Sequence, residues 1–232
     1  MALVKYGGGV VQASGSIAGT THARNRFGNY IRARTKPVNP NTSRQGLVRT
    51  SLSYLTMWWA SGLSAAERTA WATYAAAIAM KNRLGESIYL TGFNHFVRSN
   101  VESYLHNNAV AEAGPTVLAL PEKDVALSCT GSVATQQISV AFTEGTEWAL
   151  EVGAIMFVYM GVPRQATRNF FNGPWKYMGQ IVGVGAPGAQ SPTAIAAPMT
   201  LVLGQLVTCY ARIRRADGRL SEPFTSTFTV AA

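Results

Sequence analysis

The sequence predicts an α+β protein in three parts. A basic N-terminal arm carrying a β-hairpin (residues 1–41) leads into a segment of three helices (42–113), and after a linker (114–124) comes a β-sandwich (125–232). Three observations predict this division. Apolar residues recur at helical spacing from about Val48 to Leu105, and at alternate positions in runs from Val125 onward. Between the two lies Gly114-Pro115 through Pro121, a break of the kind that separates domains. The third observation is charge. Of 232 residues 20 are Lys or Arg and 11 are Asp or Glu, and no acid precedes Glu67. Lys5, Arg24, Arg26, Arg32, Arg34, Lys36, Arg44 and Arg49 all do, so nearly all of the net charge of +9 lies in the N-terminal quarter. The partner of that quarter should be acidic.

Within the first 36 residues Gly7-Gly8-Gly9, Gly15 and Gly19 argue against an independent core, because glycine loses much entropy on ordering and buries no side chain. Ile17 to Arg24 and Tyr30 to Arg34 read as short strands, turned at Asn25-Arg26-Phe27-Gly28-Asn29. On the second strand Tyr30, Arg32 and Arg34 share a face, opposite Ile31 and Ala33. An aromatic interleaved with arginines suits phosphates and bases, and equally an acidic protein groove. The candidate partner-binding residues are therefore Arg24, Arg26, Tyr30, Arg32, Arg34 and Lys36. Pro37 and Pro40 hold the following stretch extended, a hinge between arm and body.

Thr42 and Gln45 have capping-box spacing, so a helix should begin there and run to about Ser61, ended by Gly62. Its stripe is Val48, Leu52, Leu55 and Trp59, widened by Leu47, Tyr54 and Trp58. Ser64 and Glu67 form a second box, opening an alanine-rich helix to about Asn82 with Trp71, Tyr74 and Ile78 on one face. So short a break predicts an αα-hairpin with the tryptophans in its core. After an extended link at Ser87–Leu90, Thr91 caps a third helix of about fifteen residues. His95 and His106 are eleven positions apart, too far to share a metal, and read as surface or capping histidines.

From Val125 the pattern is β: Val125, Leu127 and Cys129; Ile138, Val140 and Phe142; and the unbroken apolar run Ile155 to Met160 of a central strand. Trp175, Tyr177 and Ile181 mark another strand. Val207, Cys209, Ala211 and Ile213 alternate with Thr208, Tyr210, Arg212 and Arg214. Asp217-Gly218 signals a turn before a last strand at Phe224, Ser226 and Phe228. About seven strands argue for a sandwich. Cys129 and Cys209, the only cysteines, read as buried free thiols.

Leu203-Gly204 through Arg214, followed by Ala216-Asp217-Gly218-Arg219-Leu220-Ser221-Glu222-Pro223, resembles the sixth strand and last turn of fibronectin type III domains, with Tyr210 as the corner tyrosine. That resemblance implies an immunoglobulin/fibronectin-like fold for 125–232, although Gly161 to Pro174 is a long insert and no early-strand tryptophan stands out. More of the chain resembles a family of small proteins encoded by tailed bacteriophages and prophages. The residues that carry this are Gly15-Ser16-Ile17-Ala18-Gly19-Thr20-Thr21, Ala23 to Gly28, Arg34 to Pro40, Thr91-Gly92-Phe93-Asn94-His95-Phe96, Asn169 to Trp175 and Arg215 to Pro223. The resemblance implies a virion structural protein, with other virion proteins (capsid, connector or tail subunits) and further copies of itself as partners. It supplies no catalytic residues.

From the residues themselves, the expected function is assembly. A glycine- and proline-containing arm can thread over neighbouring subunits and a β module can project from it, and the resemblance implies that this takes place on the capsid or in the head–tail region. A non-specific DNA-binding protein using the same arginines is the alternative. An enzyme is not expected: the sequence has no nucleophile elbow, metal-ligand cluster, phosphate loop or paired carboxylates. No cofactor, metal or membrane contact is expected either. No run reaches the roughly 18 apolar residues of a membrane span or the length of a signal peptide, which fits assembly in a bacterial cytoplasm.

Overall fold

The computed structural model describes residues 2–36, 38–168 and 170–232 and is α+β throughout, with three α-helices and four antiparallel sheets among them. Pro37 of the expected hinge and Asn169 of the phage-like motif lie outside the described residues.

The N-terminal segment contains more structure than a hairpin. Strands β1 (Ala2–Val4), β2 (Gly15–Ile17), β3 (Thr20–Asn25) and β4 (Gly28–Ala33) form a sheet in the order β1-β4-β3-β2. The turn tightens to Arg26-Phe27, where Gly28 at φ 125° takes a conformation open to few other residues. No described residue before Ser51 is buried. Backbone pairing therefore holds this sheet together, as its glycine content implies.

Helix α1 (Ser43–Met57) starts at the Thr42–Gln45 capping box, with both reciprocal bonds made. It passes into a π-helical turn, Trp58–Gly62, and a Cβ on Gly62 would meet the Trp58 indole at 2.5 Å. Only glycine lets the tryptophan lie back over the chain there. Helix α2 (Ala65–Ala77) starts at the Ser64–Glu67 box but stops five residues before Asn82. Ile78 turns extended and leads into a hairpin of β5 (Ala79–Lys81) and β6 (Ser87–Tyr89), closed by Asn82 accepting from the amides of Leu84 and Glu86. Ile78 stays buried, so the apolar spacing reads straight through the helix end. Helix α3 (Gly92–Leu105), capped by Thr91, packs on both α1 and α2, and the expected α1–α2 hairpin gives way to contacts through α3. Gly92 permits this, since a Cβ there would lie 2.8 Å from the backbone nitrogen of Ala72. Leu55, Trp71, Tyr74 and Phe96 form the helical core, while Trp59 is half-buried against Phe93 and Phe96.

The C-terminal region has two sheets around one core. Strands β10 (Trp175–Val182), β9 (Ile155–Gly161), β12 (Leu206–Arg214) and β13 (Phe224–Thr229) are adjacent in that order. β11 (Thr193–Ala196), β8 (Gln137–Ala141) and β7 (Ser128–Ser132) make the second sheet. Ile138, Val140, Met156, Val158, Met160, Val207, Cys209 and Ala211 fill the space between them, and both cysteines are buried and unbridged. Central β9 is buried on both faces, as its unbroken apolar run requires. Val125 precedes the first strand and is 98% exposed. Tyr210 is not a corner residue. It sits mid-strand on the outer face, packed on Tyr159 and Trp175.

Candidate functional site

Over β9, β10 and β12 the outer face of the four-stranded sheet is largely covered, whereas Thr225, Thr227 and Thr229 of β13 are exposed. Ile155, Phe157, Tyr159, Trp175, Tyr177 and Tyr210 line the covered part, and α3 lies across them. His106, the C-cap of α3, stacks on Tyr177 with ring centroids 3.4 Å apart. Arg98 on α3 donates to the carbonyls of Leu220 and Ser221 at 2.8 and 3.1 Å. Arg214 reaches from β12 to the carbonyl of Ala109 at 3.1 Å, and Asn108 and Gln180 exchange two side-chain bonds. Arg214 belongs to the face read from sequence as polar, yet it is 3% exposed. The helical and β regions are thus joined by an aromatic layer edged with buried arginines.

His95 also departs from its expected place on the surface. It is fully buried, edge-on to Tyr74, and neither ring nitrogen has a protein partner. Burial first, and then the charge of Arg98, holds its pKa down to about 4, while burial raises the Tyr74 phenol to about 12. The folded protein therefore keeps His95 neutral at pH values where the unfolded chain protonates it. Stability should be complete above about pH 6.5 and should fall as pH drops towards 4, by roughly 1–3 kcal/mol from this residue. Denaturant melts at pH 7 and pH 5 should show that loss in the wild type, and His95→Gln should remove most of it. A pH dependence unchanged by the substitution would refute the assignment.

The sequence-selected residues lie apart from this body, on the N-terminal sheet. Arg24, Arg26, Arg32, Arg34 and Lys36 are exposed and Tyr30 is half-buried. The strand register sorts them. Residues directly opposite each other in an antiparallel pair share a face. Leu3, Tyr30 and Ala23 are on one face with Thr21, Arg32 and Ser16. Arg34 continues that face, its amide bonded to the carbonyl of Gly19. Arg24 lies on the opposite face with His22 and Ile31, and Arg26 is at the turn. The sheet thus brings Tyr30, Arg32 and Arg34 together and separates Arg24 from them.

Two further bonds decide which face is open. The segment joining β1 to β2 sets the Tyr6 hydroxyl 2.8 Å from His22 Nδ1, and Arg24 donates to Gln12 at 3.3 Å. That segment therefore lies against the Arg24 face. Lys5 pairs with Glu86 of the β5–β6 hairpin, linking the sheet to the body. Among the described residues Arg26, Arg32, Arg34 and Lys36 have no carboxylate partner. On α1 the apolar residues Leu47, Leu52 and Met57 are also exposed.

A concavity of about 640 Å³ lies between residues 119–125, the 143–148 loop and Arg215 and Arg219. Its cations are matched: Lys123 with Glu222, Arg215 with Glu147 and Glu151, and Arg219 with Asp217. Among the described residues no three His, Cys, Asp or Glu gather within reach of one metal ion, and no helix is long and apolar enough to cross a membrane.

No family model matches the chain, and no curated protein matches it significantly. Among solved structures it is similar to the adhesin domain of Epf from Streptococcus pyogenes, with 11% identity and a TM-score of 0.30, covering 49% of this chain and 33% of that one. It is similar at the same identity and TM-score to a family 76 glycoside hydrolase from a bovine Bacteroides thetaiotaomicron strain, covering 47% of this chain and 21% of that one. The chain thus spans a third of the first structure's length and about a fifth of the second's, and neither likeness bears on function.

Proposed function

We propose that this chain is a structural protein of a tailed-bacteriophage virion, docking on the capsid or head–tail region through its basic N-terminal sheet and projecting a fibronectin-like β-sandwich. The observation that carries this reading is the contrast between two surfaces. Most cations of the C-terminal region are ion-paired or buried (Lys123, Arg164, Arg214, Arg215 and Arg219), with Arg168 and Lys176 exposed, whereas those of the N-terminal sheet are exposed, mostly without a carboxylate partner, and have no acidic residue ahead of Glu67 in the sequence. A surface of that kind is a binding surface. The resemblance of the motifs quoted above to phage and prophage proteins supplies the context, and the absence of a catalytic constellation from the sequence favours assembly over enzymology. For the sandwich, the strand orders β11-β8-β7 and β10-β9-β12-β13 around one core support a fibronectin type III arrangement.

The test is made on particles. Virions from a host carrying the gene, emptied of DNA and washed at about 1 M salt, where screening reaches only about 3 Å, should retain the protein. Apolar and main-chain contacts to a lattice survive that wash, whereas contacts to phosphates are lost with counterion uptake. Copy number by quantitative mass spectrometry then places it: hundreds for a capsid or tail-shaft lattice, a dozen or fewer for a connector. Release with the DNA would favour the nucleic-acid reading.

A further inference from the structure

We infer that the open face of the N-terminal sheet, carrying Tyr30, Arg32 and Arg34, receives an extended acidic polypeptide strand with carboxylates at alternate positions. This inference rests on the docking role proposed above and names the chemistry of the partner.

Four observations lead to it. The opposite face is occupied, since Tyr6 and Gln12 sit against His22 and Arg24, so a partner approaching a face meets Arg32 and Arg34. Those two guanidinium groups are exposed and have no carboxylate partner, whereas Arg24 is engaged by Gln12 and Lys5 by Glu86. Arg32 on β4 and Arg34 one residue past its end, still bonded to Gly19, stand two positions apart, about 7 Å in extended chain, which is also the repeat of same-face side chains on a second extended chain. Leu3, Ala23 and half-buried Tyr30 form a floor next to them, with Ser16 and Thr21 hydroxyls, bonded to each other, beyond. An apolar floor edged by two forked donors suits a peptide of alternating acidic and small apolar or hydroxyl residues.

Duplex DNA fits this face less well. Sequence-independent duplex affinity grows with the number of phosphates neutralised, and this face offers two guanidiniums, with Arg26 at its turn and Lys36 just past its end. An acidic strand needs fewer charges because contacts with Tyr30 and the apolar floor contribute alongside the guanidiniums.

The experiment measures fluorescence anisotropy of a labelled peptide of about eight alternating Glu and Thr residues against the full chain at about 0.1 M salt. Binding is expected, with none for the matching Lys–Thr peptide. Arg32→Ala with Arg34→Ala should weaken it at least about tenfold, Arg24→Ala by less than about threefold, and the paired Arg→Lys variant should fall between them. Circular dichroism of each variant separates lost binding from lost folding, and the Arg→Lys pair keeps the charge if the alanine pair fails to fold. The inference is overturned if the Glu–Thr peptide does not bind or if Arg24→Ala weakens it as much as the alanine pair. Tighter binding of a duplex of about 20 base pairs, with a steep salt slope, also overturns it. Retention in washed virions with no peptide binding would sink this inference and leave the docking role standing. Peptide binding by a protein missing from virions would do the reverse.

Discussion

Trp71→Ala should lower the stability of the whole chain by about 3–5 kcal/mol, the largest loss expected of any single truncation here. Trp71 is fully buried and meets Tyr74 and Phe96 edge-to-face, with centroids 6.1 and 5.7 Å away. Its Nε1 donates to the carbonyl of Glu112 at 2.9 Å, tying α2 to the segment that follows α3. Its ring also underlies the β12–β13 turn, where a Cβ on Gly218 would lie 3.1 Å from it. Truncation therefore opens a cavity where three parts of the molecule meet. Trp71→Phe keeps most of the packing and loses the hydrogen bond, so it should lose only about 1–2 kcal/mol. Urea melts followed by circular dichroism decide the matter. A loss under about 1 kcal/mol for the alanine variant would show that the helical core does not depend on this ring.

The second large effect is expected at Arg98. Its guanidinium binds two main-chain carbonyls, those of Leu220 and Ser221, and Arg212 also donates to the latter. Burial, together with repulsion from Arg212, lowers its pKa to about 10, which leaves it charged at neutral pH. Arg98→Ala should lose about 3 kcal/mol, because it removes two charge-assisted bonds and leaves the Leu220 carbonyl without its donor. Arg98→Lys should recover less than half, since one ammonium cannot reproduce the fork. If α3 unfolds at a lower urea concentration than the sheets in Arg98→Ala, the arginine acts at the join between helices and sheet. A melt that superimposes on the wild type would refute that role.

Features that depend on near neighbours along the chain are legible in the amino-acid sequence alone. Thr42 with Gln45 and Ser64 with Glu67 locate two helix starts because each bond spans three residues. The alternation of Val207, Cys209, Ala211 and Ile213 identifies an inward face, and all four are buried. Asp217-Gly218 forms its turn, with Gly218 at φ 88°. The alternation of Tyr30, Arg32 and Arg34 likewise defines one face of the candidate surface, because pleating is a property of a single strand.

Pairing between strands is not such a property, so sequence could not reveal that Arg24 lies on the face away from Arg32, or that Tyr6 and Gln12 pack against that face. The same limit explains the outer face of the large sheet. Arg212 and Arg214 alternate with apolar residues and so read as facing water, but Arg98 lies 122 positions from the carbonyl it holds, and Arg214 lies 105 from its own. The signal for a covered face was the set of aromatics on that side, Tyr159, Trp175, Tyr177 and Tyr210, too large an apolar area to leave in water. His95 is buried against expectation for a related reason: helical spacing gives the direction of a side chain, and only the packing of α2 against α3 determines what lies in that direction. The amino-acid sequence by itself determined where elements begin and which residues share a face, because those follow from bonds within one or two turns of chain. Which faces are covered, and hence which arginines are clamps and which remain free to bind, was decided by tertiary contacts between residues far apart in sequence.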